Sequence, residues 1–155
     1  MLGISLSTSY GYTFEYKYND NSFKSIKHEH SESSYQHMWC SMHNGIEEYQ
    51  NNDYTRVDCL TDIYAVEFDF ANKWAESIGQ VEHYALKTGK RGMVILILEH
   101  PKKELIYDKR VKKIGEIHNF DVDYITPKIL KTKNGLCSYE DCKCHRKKKT
   151  QSSSK

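Results

Sequence analysis

The stretch GMVILILE at residues 92–99 constrains the fold more than any other part of the sequence. It is a continuous apolar run of strand length, and Pro101 closes it. Such a run is typical of a central strand in a sheet that helices cover. The sequence therefore predicts an α/β protein built around this strand.

Helix and strand signals on either side of this run give the order of the elements. SESSYQHMWCSMHNG begins with the candidate N-caps Ser31 and Ser33 and stops at Asn44-Gly45, which predicts a helix. The other predicted elements are strands at 46–50, 54–60 and 64–70, a helix at 71–88, a helix near 107–118 and a strand at 121–126. The core order is α-β-β-β-α-β, followed by α-β.

A length of 155 residues suits one compact domain, with an appendage at each end. Residues 1–30 hold an alternating stretch at 10–18, YGYTFEYKY, that reads as a strand, and then a polar loop. Residues 31–127 form the predicted α/β domain, and residues 128–155 form a basic tail that contains cysteines.

Charge is divided unevenly between the tail and the rest of the chain. The tail holds nine Lys or Arg against two acidic residues, a net charge of +7, which leaves −5 for residues 1–127 out of a total of +2. An acidic body fits a polyanionic partner only if the tail or bound cations supply the attraction. The alternative is a tail that only keeps the chain soluble.

Targeting signals and cysteine usage bear on the compartment. No apolar run reaches the roughly 18 residues of a membrane span, and the N-terminus does not resemble a signal peptide. Five cysteines, an odd number, then favour reduced thiols in a cytoplasm-like compartment. We therefore expect a cytoplasmic protein without a membrane contact, in which Cys59 is a core residue.

The segment AVEFDFANKW, residues 65–74, places carboxylates on a strand that has to pack. Because side chains alternate along a strand, Glu67 and Asp69 share one face while the phenylalanines share the other. A hairpin turn near residues 61–63 brings Asp58, on the preceding strand, beside Glu67. Alternation also predicts that Val57 and Cys59 share the face opposite Asp58.

Three carboxylates on one sheet face repel one another unless a cation or a proton relieves them. Mg²⁺ or Mn²⁺, held by one or two carboxylates with water and substrate phosphate, suits this arrangement and the hydrolysis of phosphodiesters. Lys73, just after the strand, is placed to orient a nucleophilic water or to stabilise a phosphate. Helix periodicity puts Lys73 on one stripe with Ser77, Gln80 and Tyr84, as candidate substrate-binding residues.

Here the chain resembles the PD-(D/E)xK nuclease superfamily over roughly residues 31–100. The superfamily has the same α-β-β-β-α-β order, with a mixed central sheet flanked by helices in a restriction-endonuclease-like core. Its motif is an acidic residue on one strand and (D/E)-x-K on the next, which Asp58 and Glu67-Phe68-Asp69 match except at the last position. Some members move the lysine onto the following helix, and Lys73 is the candidate for that place.

The resemblance implies a metal-dependent deoxyribonuclease. Asp58, Glu67 and the backbone carbonyl of Phe68 would hold the ion, with Asp69 as a further ligand or as the N-terminal anchor of the helix. Glu32, in the first helix, is either an additional acidic ligand or a residue that stabilises the helix dipole. Such folds often dimerise or join larger complexes.

The stretch Gln80-Val81-Glu82-His83-Tyr84 resembles the Q-x-x-x-Y element of the RecB-like branch, where it helps to bind DNA. We therefore expect DNA as the partner. Arg146 and Lys147, in the basic run of the tail, are further candidates for phosphate contacts.

Four potential metal ligands lie within nine positions of the tail: Cys137, Cys142, Cys144 and His145. Three thiolates and an imidazole suit tetrahedral zinc. Some RecB-like nucleases instead hold an iron–sulfur cluster with one cysteine upstream of the core and three downstream, a layout that Cys40 and the tail would match, with a different spacing. The remaining reading is that the thiols are inert.

Four scattered histidines lie before and within the first predicted helix: His28, His30, His37 and His43. They form either another site or ordinary exposed positions. The sequence as a whole predicts a metal-dependent nuclease. Its alternatives are a catalytically inactive nuclease-like fold that binds nucleic acid or protein, and a zinc-stabilised interaction protein.

Overall fold

The computed structural model describes residues 27–133 and 136–145. The elements are α1 (Glu32–Met42), β1 (Ile46–Gln50), β2 (Arg56–Leu60), β3 (Tyr64–Phe70), α2 (Trp74–Thr88), β4 (Arg91–Ile97), α3 (Pro101–His118) and β5 (Asp121–Ile125). Short 3-10 turns cover Ala71–Lys73 and Pro127–Leu130. The predicted order of elements is therefore confirmed. The strand predicted at residues 10–18 and the basic run after residue 145 lie outside the described residues.

The five strands form one mixed sheet in the order β1-β2-β3-β4-β5. Neighbours are antiparallel from β1 to β3 and parallel from β3 to β5. The apolar run that opens the sequence analysis lies in β4, and Val94 to Leu98 are fully buried. Strand β4 is thus an interior strand between two parallel neighbours, and β3 is the middle strand of the five.

Helices pack on both faces of the sheet. On one face, Trp39 and Cys40 of α1 pack against Phe68 and Ile95. On the other face, α2 and α3 pack against β4 in a cluster that includes Val81, Val111 and Leu96. The predicted α/β class, with a sheet between helices, is confirmed. No helix in the described part of the chain is long and apolar enough to cross a membrane.

Helix α3 begins earlier than the sequence analysis placed it. The prediction started this helix near residue 107, because Pro101 was read only as the end of the strand. Proline suits the first turn of a helix, where its missing N–H is not needed, and α3 starts at Pro101. The Glu104 carboxylate accepts a hydrogen bond from the His100 backbone N–H at 2.6 Å and stabilises this start.

Two predictions about the cysteines near the sheet need correction. Cys40 and Cys59 form a disulfide that joins α1 to β2, so these two residues are not reduced thiols. Cys40 is therefore not available as the upstream ligand of a metal cluster. Cys59 is buried in the core as predicted.

The segment after β5 packs against the domain instead of extending away from it. Leu130, Cys137 and Cys142 are buried in one cluster with Tyr35 and Phe70. This cluster lies at the C-terminal ends of β3 and β4, where Phe70 and Ile97 are buried.

Candidate functional site

Asp58 lies where β2 separates from β3. The two strands pair at Cys59–Val66 and Leu60–Ala65, and no pair is formed beyond Cys59. In place of the next backbone pair, the Asp58 carboxylate accepts a hydrogen bond from the Phe68 N–H at 2.8 Å. The Asp58 carbonyl accepts one from the Gln36 side chain at 2.6 Å. Asp58 is thus fixed in the gap between the strands by contacts at both ends.

This separation corrects the face assignment on β2. Val57 packs with Ala65 and Tyr84, whereas Cys59 packs with Trp39 on the opposite side of the sheet. The two residues do not share a face, because β2 stops following the pleat of β3 at the residue between them. Strict alternation holds only where a strand stays in the ladder.

Glu67 and Asp69 follow on β3, and each residue is only 3% exposed. Oε2 of Glu67 and Oδ1 of Asp69 make no hydrogen bond within the described residues. A buried carboxylate oxygen without a partner is costly unless it is protonated or bound to a cation. We call Glu32, Asp58, Glu67 and Asp69 the carboxylate cluster.

The pKa values of the carboxylate cluster are raised, because its acids are buried and lie close to one another. Burial and then the charge of Asp58 raise the pKa of Glu67, and the pKa of Asp58 is raised by burial. Burial, and next the charge of Glu32, raise the pKa of Asp69 to about 7. Glu32 therefore lies within the electrostatic reach of Asp69 and is part of the site.

Lys73 is the cation nearest to this cluster for which the structure shows a contact. Its Nζ lies 3.7 Å from Oδ1 of Asp69, and its side chain is 48% exposed. The charge of Asp69 raises the pKa of Lys73, so the ammonium is retained at neutral pH. The structure thus brings together the predicted residues Asp58, Glu67, Asp69 and Lys73.

Helix α2 covers the cluster with Tyr84. Burial and then the charge of Glu67 raise the pKa of Tyr84, and its hydroxyl donates to Oε1 of Gln80 at 3.3 Å. Gln80 is exposed and can contact a ligand. Ser77 does not fit its predicted role, because it is fully buried and its hydroxyl donates to the Trp74 carbonyl at 2.8 Å. Arg146 and Lys147 lie outside the described residues.

The pH dependence of stability measures how much the buried, crowded carboxylates destabilise the fold. Asp69 has a raised pKa in the folded state, so the folded protein binds more protons than the unfolded chain above about pH 4. Without added divalent cations, we therefore expect the free energy of unfolding to fall between pH 5 and pH 8, by on the order of 2–4 kcal/mol. Denaturant unfolding at pH 5, 6.5 and 8 measures this change.

The variant Asp69→Asn separates this effect from other titrating groups. It removes one charge of the cluster, so its stability is expected to vary less with pH than that of the wild type. Ca²⁺ at pH 8 is expected to raise the melting temperature of the wild type more than that of the variant. A variant with the wild-type pH dependence would contradict the assignment of the shift to Asp69.

A second group of ligands lies in the cluster after β5. His30, Cys137, Cys142 and Cys144 are all buried, and their ligand atoms lie within 4.8 Å of one another. Within residues 27–133 and 136–145, no other group of three or more His, Cys, Asp or Glu residues has its ligand atoms at such close range. This Cys3His group could bind a metal ion such as zinc.

The Cys3His group contains three of the four predicted ligands, with His30 in place of His145. His145 is turned away, because its Nε2 hydrogen-bonds the Cys137 carbonyl at 2.9 Å. His30 takes its place, with Nδ1 3.5 Å from Sγ of Cys142. No local signal indicated this choice beyond the presence of His30 among the scattered histidines, since 112 positions separate His30 from Cys142.

The distances within the Cys3His group suit one tetrahedral ion. Zn–S bonds of about 2.3 Å and a Zn–N bond of about 2.0 Å place two sulfurs ~3.8 Å apart and a sulfur and a nitrogen ~3.6 Å apart. Sγ of Cys137 lies 3.5 Å from Sγ of Cys144, and the contact between Cys142 and His30 is also 3.5 Å.

Aromatic contacts connect the Cys3His group to Phe70 at the end of β3. The His28 ring stacks on Phe70 with 3.5 Å between centroids, and its Nδ1 lies 2.7 Å from the Glu99 carboxylate. Tyr35 lies edge-on to both His30 and Phe70. Phe70 directly follows Asp69 but points to the opposite face of β3, so the Cys3His group and the carboxylates of β3 lie on opposite faces of the sheet.

Comparison with protein-family models, with curated proteins and with solved structures finds no match for this chain. The resemblance to the nuclease superfamily therefore rests on the residues and the geometry described above.

Proposed function

We propose that this protein is a divalent-metal-dependent nuclease that hydrolyses phosphodiester bonds in DNA. The observation that carries the proposal is the pair of buried carboxylates on β3, Glu67 and Asp69, each with an oxygen that makes no hydrogen bond within the described residues, beside Asp58 and Lys73. A strand that only had to pack gains nothing from this arrangement, whereas a cation site requires it.

The fold supports the same reading. The order of elements and the mixed sheet agree with the restriction-endonuclease-like core that the sequence resembles. Asp58 and Glu67 occupy neighbouring strands at the point where these strands separate. The motif lysine is absent from β3, and Lys73 reaches back to within 3.7 Å of Asp69 from the turn that follows.

The donor atoms suit Mg²⁺ or Mn²⁺, which prefer carboxylate and carbonyl oxygens and keep several water ligands. Asp58 and Glu67 would hold the ion, with Asp69 and Glu32 as further acidic groups. The Phe68 carbonyl would contribute as well: the N–H and C=O of a strand residue point to the same side, and the Phe68 N–H points to Asp58. When bound, the ion supplies Lewis acidity and a water of lowered pKa.

The protein residues then position the substrate. Lys73 keeps its charge and is half-exposed, so it can approach a phosphate oxygen that carries developing negative charge. Tyr84 and Gln80, linked by a hydrogen bond, present a polar edge of α2 next to the cluster. In this position they fit contacts to the DNA backbone.

The second candidate function is that of a catalytically inactive module with the same fold. The ion pair between Lys73 and Asp69 favours it, because a lysine held by a carboxylate is less free to contact a phosphate. Such a module would bind nucleic acid or a protein without cleaving it.

The proposal includes a structural zinc ion in the Cys3His group. Three thiolates and one imidazole at tetrahedral distances are a usual structural zinc site, whereas iron–sulfur clusters are mostly held by four cysteines. Because Cys40 is in a disulfide, no upstream cysteine is free to complete the layout of one upstream and three downstream cysteines. All four ligands are buried, so this ion would stabilise the fold without an open coordination position.

Cleavage of linear and of covalently closed circular DNA by the purified wild type tests the proposed function. We expect products with Mg²⁺ or Mn²⁺ and none when Mg²⁺ is replaced by Ca²⁺. Replacing the ion, instead of adding a strong chelator, keeps zinc in the Cys3His group. Products from circular DNA would identify an endonuclease.

A folded, zinc-loaded wild type that leaves both DNA substrates intact with Mg²⁺ and Mn²⁺ would contradict the nuclease proposal. Retained binding of DNA in that experiment would support the inactive module instead.

A further inference from the structure

The exposed side of α3 carries a basic face. At about 100° per residue, seven exposed side chains fall within an arc of roughly 120°, opposite the buried Val111. Five of them are cations and two are isoleucines: Lys102, Lys103, Lys109, Arg110, Lys113, Ile106 and Ile117. Glu116 borders the arc. We call the five cations the α3 basic face.

The charges of this face are not neutralised by the protein. None of its five cations makes an ion pair within the described part of the chain. The other acidic residues of α3 are engaged elsewhere: Glu104 accepts from the His100 backbone, and Asp108 pairs with Lys112. The concentration of unpaired positive charge is notable because residues 1–127 carry a net charge of −5 out of the total of +2.

The α3 basic face reaches the start of α2 through Arg110. The Arg110 guanidinium lies 5.8 Å from the centre of the Trp74 ring and 5.4 Å from that of Tyr107. Trp74 directly follows Lys73, the cation of the candidate site. The cation–π contacts hold Arg110 at the junction of α2 and α3, so positive charge continues from Lys73 onto α3.

We propose that the α3 basic face binds the phosphate backbone of double-stranded DNA and holds it against the carboxylate cluster; this inference rests on the proposed nuclease function. An acidic site repels a polyanion, so a substrate of this kind needs cations beside the site. Lys102 and Lys113 are about 16 Å apart along the helix, a length over which a duplex presents several phosphates.

Nucleic acid fits this face better than an anionic membrane surface does. A helix that inserts into lipid headgroups presents a broad apolar side, and Ile106 and Ile117 are the two large apolar residues within the arc. The apolar side of α3 is instead used inside the protein, where Val111 packs in the core.

The test is the affinity for a fluorescein-labelled 20-base-pair duplex, measured by anisotropy at several salt concentrations with Ca²⁺ present. The variant is Lys109→Glu with Lys113→Glu, and the matched control is Lys128→Glu with Lys133→Glu, which changes the net charge equally at exposed lysines outside α3. All proteins carry Glu67→Gln, so that the duplex stays intact.

We expect the α3 variant to bind at least tenfold more weakly at about 50 mM salt than its parent, and the control to bind within about twofold of the parent. The slope of log K against log salt is expected to become shallower by about 2, since each phosphate contact contributes about 0.9. The proposal is overturned if the α3 variant keeps the parent affinity and slope, or if the control weakens binding equally.

Vesicles that contain anionic phospholipid provide the opposing arm. Vesicle binding that the α3 variant loses while its DNA affinity is unchanged would overturn the proposal in favour of a lipid surface. Cleavage by the otherwise wild-type protein is measured separately. DNA binding that depends on α3, without any cleavage, would support the α3 basic face and contradict the nuclease proposal alone.

Discussion

Loss of the metal ion from the Cys3His group is expected to lower the melting temperature of the protein by about 10 °C or more. Structural zinc contributes about 10–16 kcal/mol in zinc-finger peptides, which have little other core. Here the sheet has its own core, so we expect only part of that, about 4 kcal/mol, which corresponds to ~10 °C for a chain of this size. The ligands supply three of the buried residues that surround Tyr35 and Phe70, so this small core is where the structure loosens.

Metal analysis combined with thermal unfolding measures this effect. The wild type is expected to contain one zinc ion per chain, whereas His30→Ala and Cys142→Ser lose the ion and melt at a lower temperature. The control is His145→Ala, which removes the predicted ligand that the structure places outside the group and is expected to retain zinc. The experiment is performed without reductant, so that the disulfide between Cys40 and Cys59 stays intact.

Zinc-free wild-type protein, or a melting temperature that a zinc chelator leaves unchanged, would refute the metal site. Loss of zinc from His145→Ala with retention in His30→Ala would restore the ligand set that the sequence suggested. Serine variants at Cys137 and Cys144 test separately whether these two thiolates bind the ion.

Local patterns were sufficient to predict most of the fold. The apolar run in β4, the turn at Asn44-Gly45 and the Thr88-Gly89 end of α2 are signals contained within a few residues, and each element occurs where its signal lies. Pro101 shows the limit of such signals, because the same residue ends a strand and starts a helix. The helix start at Pro101 is stabilised by Glu104, which accepts a hydrogen bond from the His100 backbone N–H four residues earlier.

Contacts between distant segments could not be predicted in this way. The sequence indicated that Asp58 and Glu67 meet, since a hairpin joins their strands, but not that the Asp58 carboxylate would replace a backbone pair with Phe68. The choice of His30 over His145 depends on a fold that brings together residues 112 positions apart. Cys40 and Cys59 are likewise joined by the packing of α1 on β2, which composition alone did not reveal.

Substitution of Glu67 by glutamine is expected to reduce the rate of DNA cleavage at least about 1000-fold, a loss of roughly 4 kcal/mol of transition-state stabilisation. The amide keeps the size of the side chain but removes the charge that would hold the cation. The same change relieves the charge repulsion with Asp58 and Asp69, which, next to burial, raises the pKa of Glu67. Without divalent cations, the variant should therefore be at least as stable as the wild type at pH 8.

Gain of stability with loss of activity distinguishes a catalytic site from a structural one, because a carboxylate that only maintained the fold would lose both together. Glu82→Gln is the matched control: it makes the same chemical change at an exposed position of α2 whose pair with His118 is worth little. We expect the control to cleave DNA at the wild-type rate. Equal cleavage by Glu67→Gln and the wild type would exclude the carboxylate cluster as the active site.

Lys73→Ala extends the same comparison to the cation. We expect a loss of about 100-fold in the rate with little change in stability, because the ammonium is half-exposed and contacts Asp69 at 3.7 Å. Lys73→Arg retains the charge and should recover part of the rate. If Lys73→Ala instead cleaves as fast as the wild type while Glu67→Gln is inactive, Lys73 only neutralises Asp69, and another cation, for which Arg110 at the Trp74 ring is a candidate, must contact the phosphate.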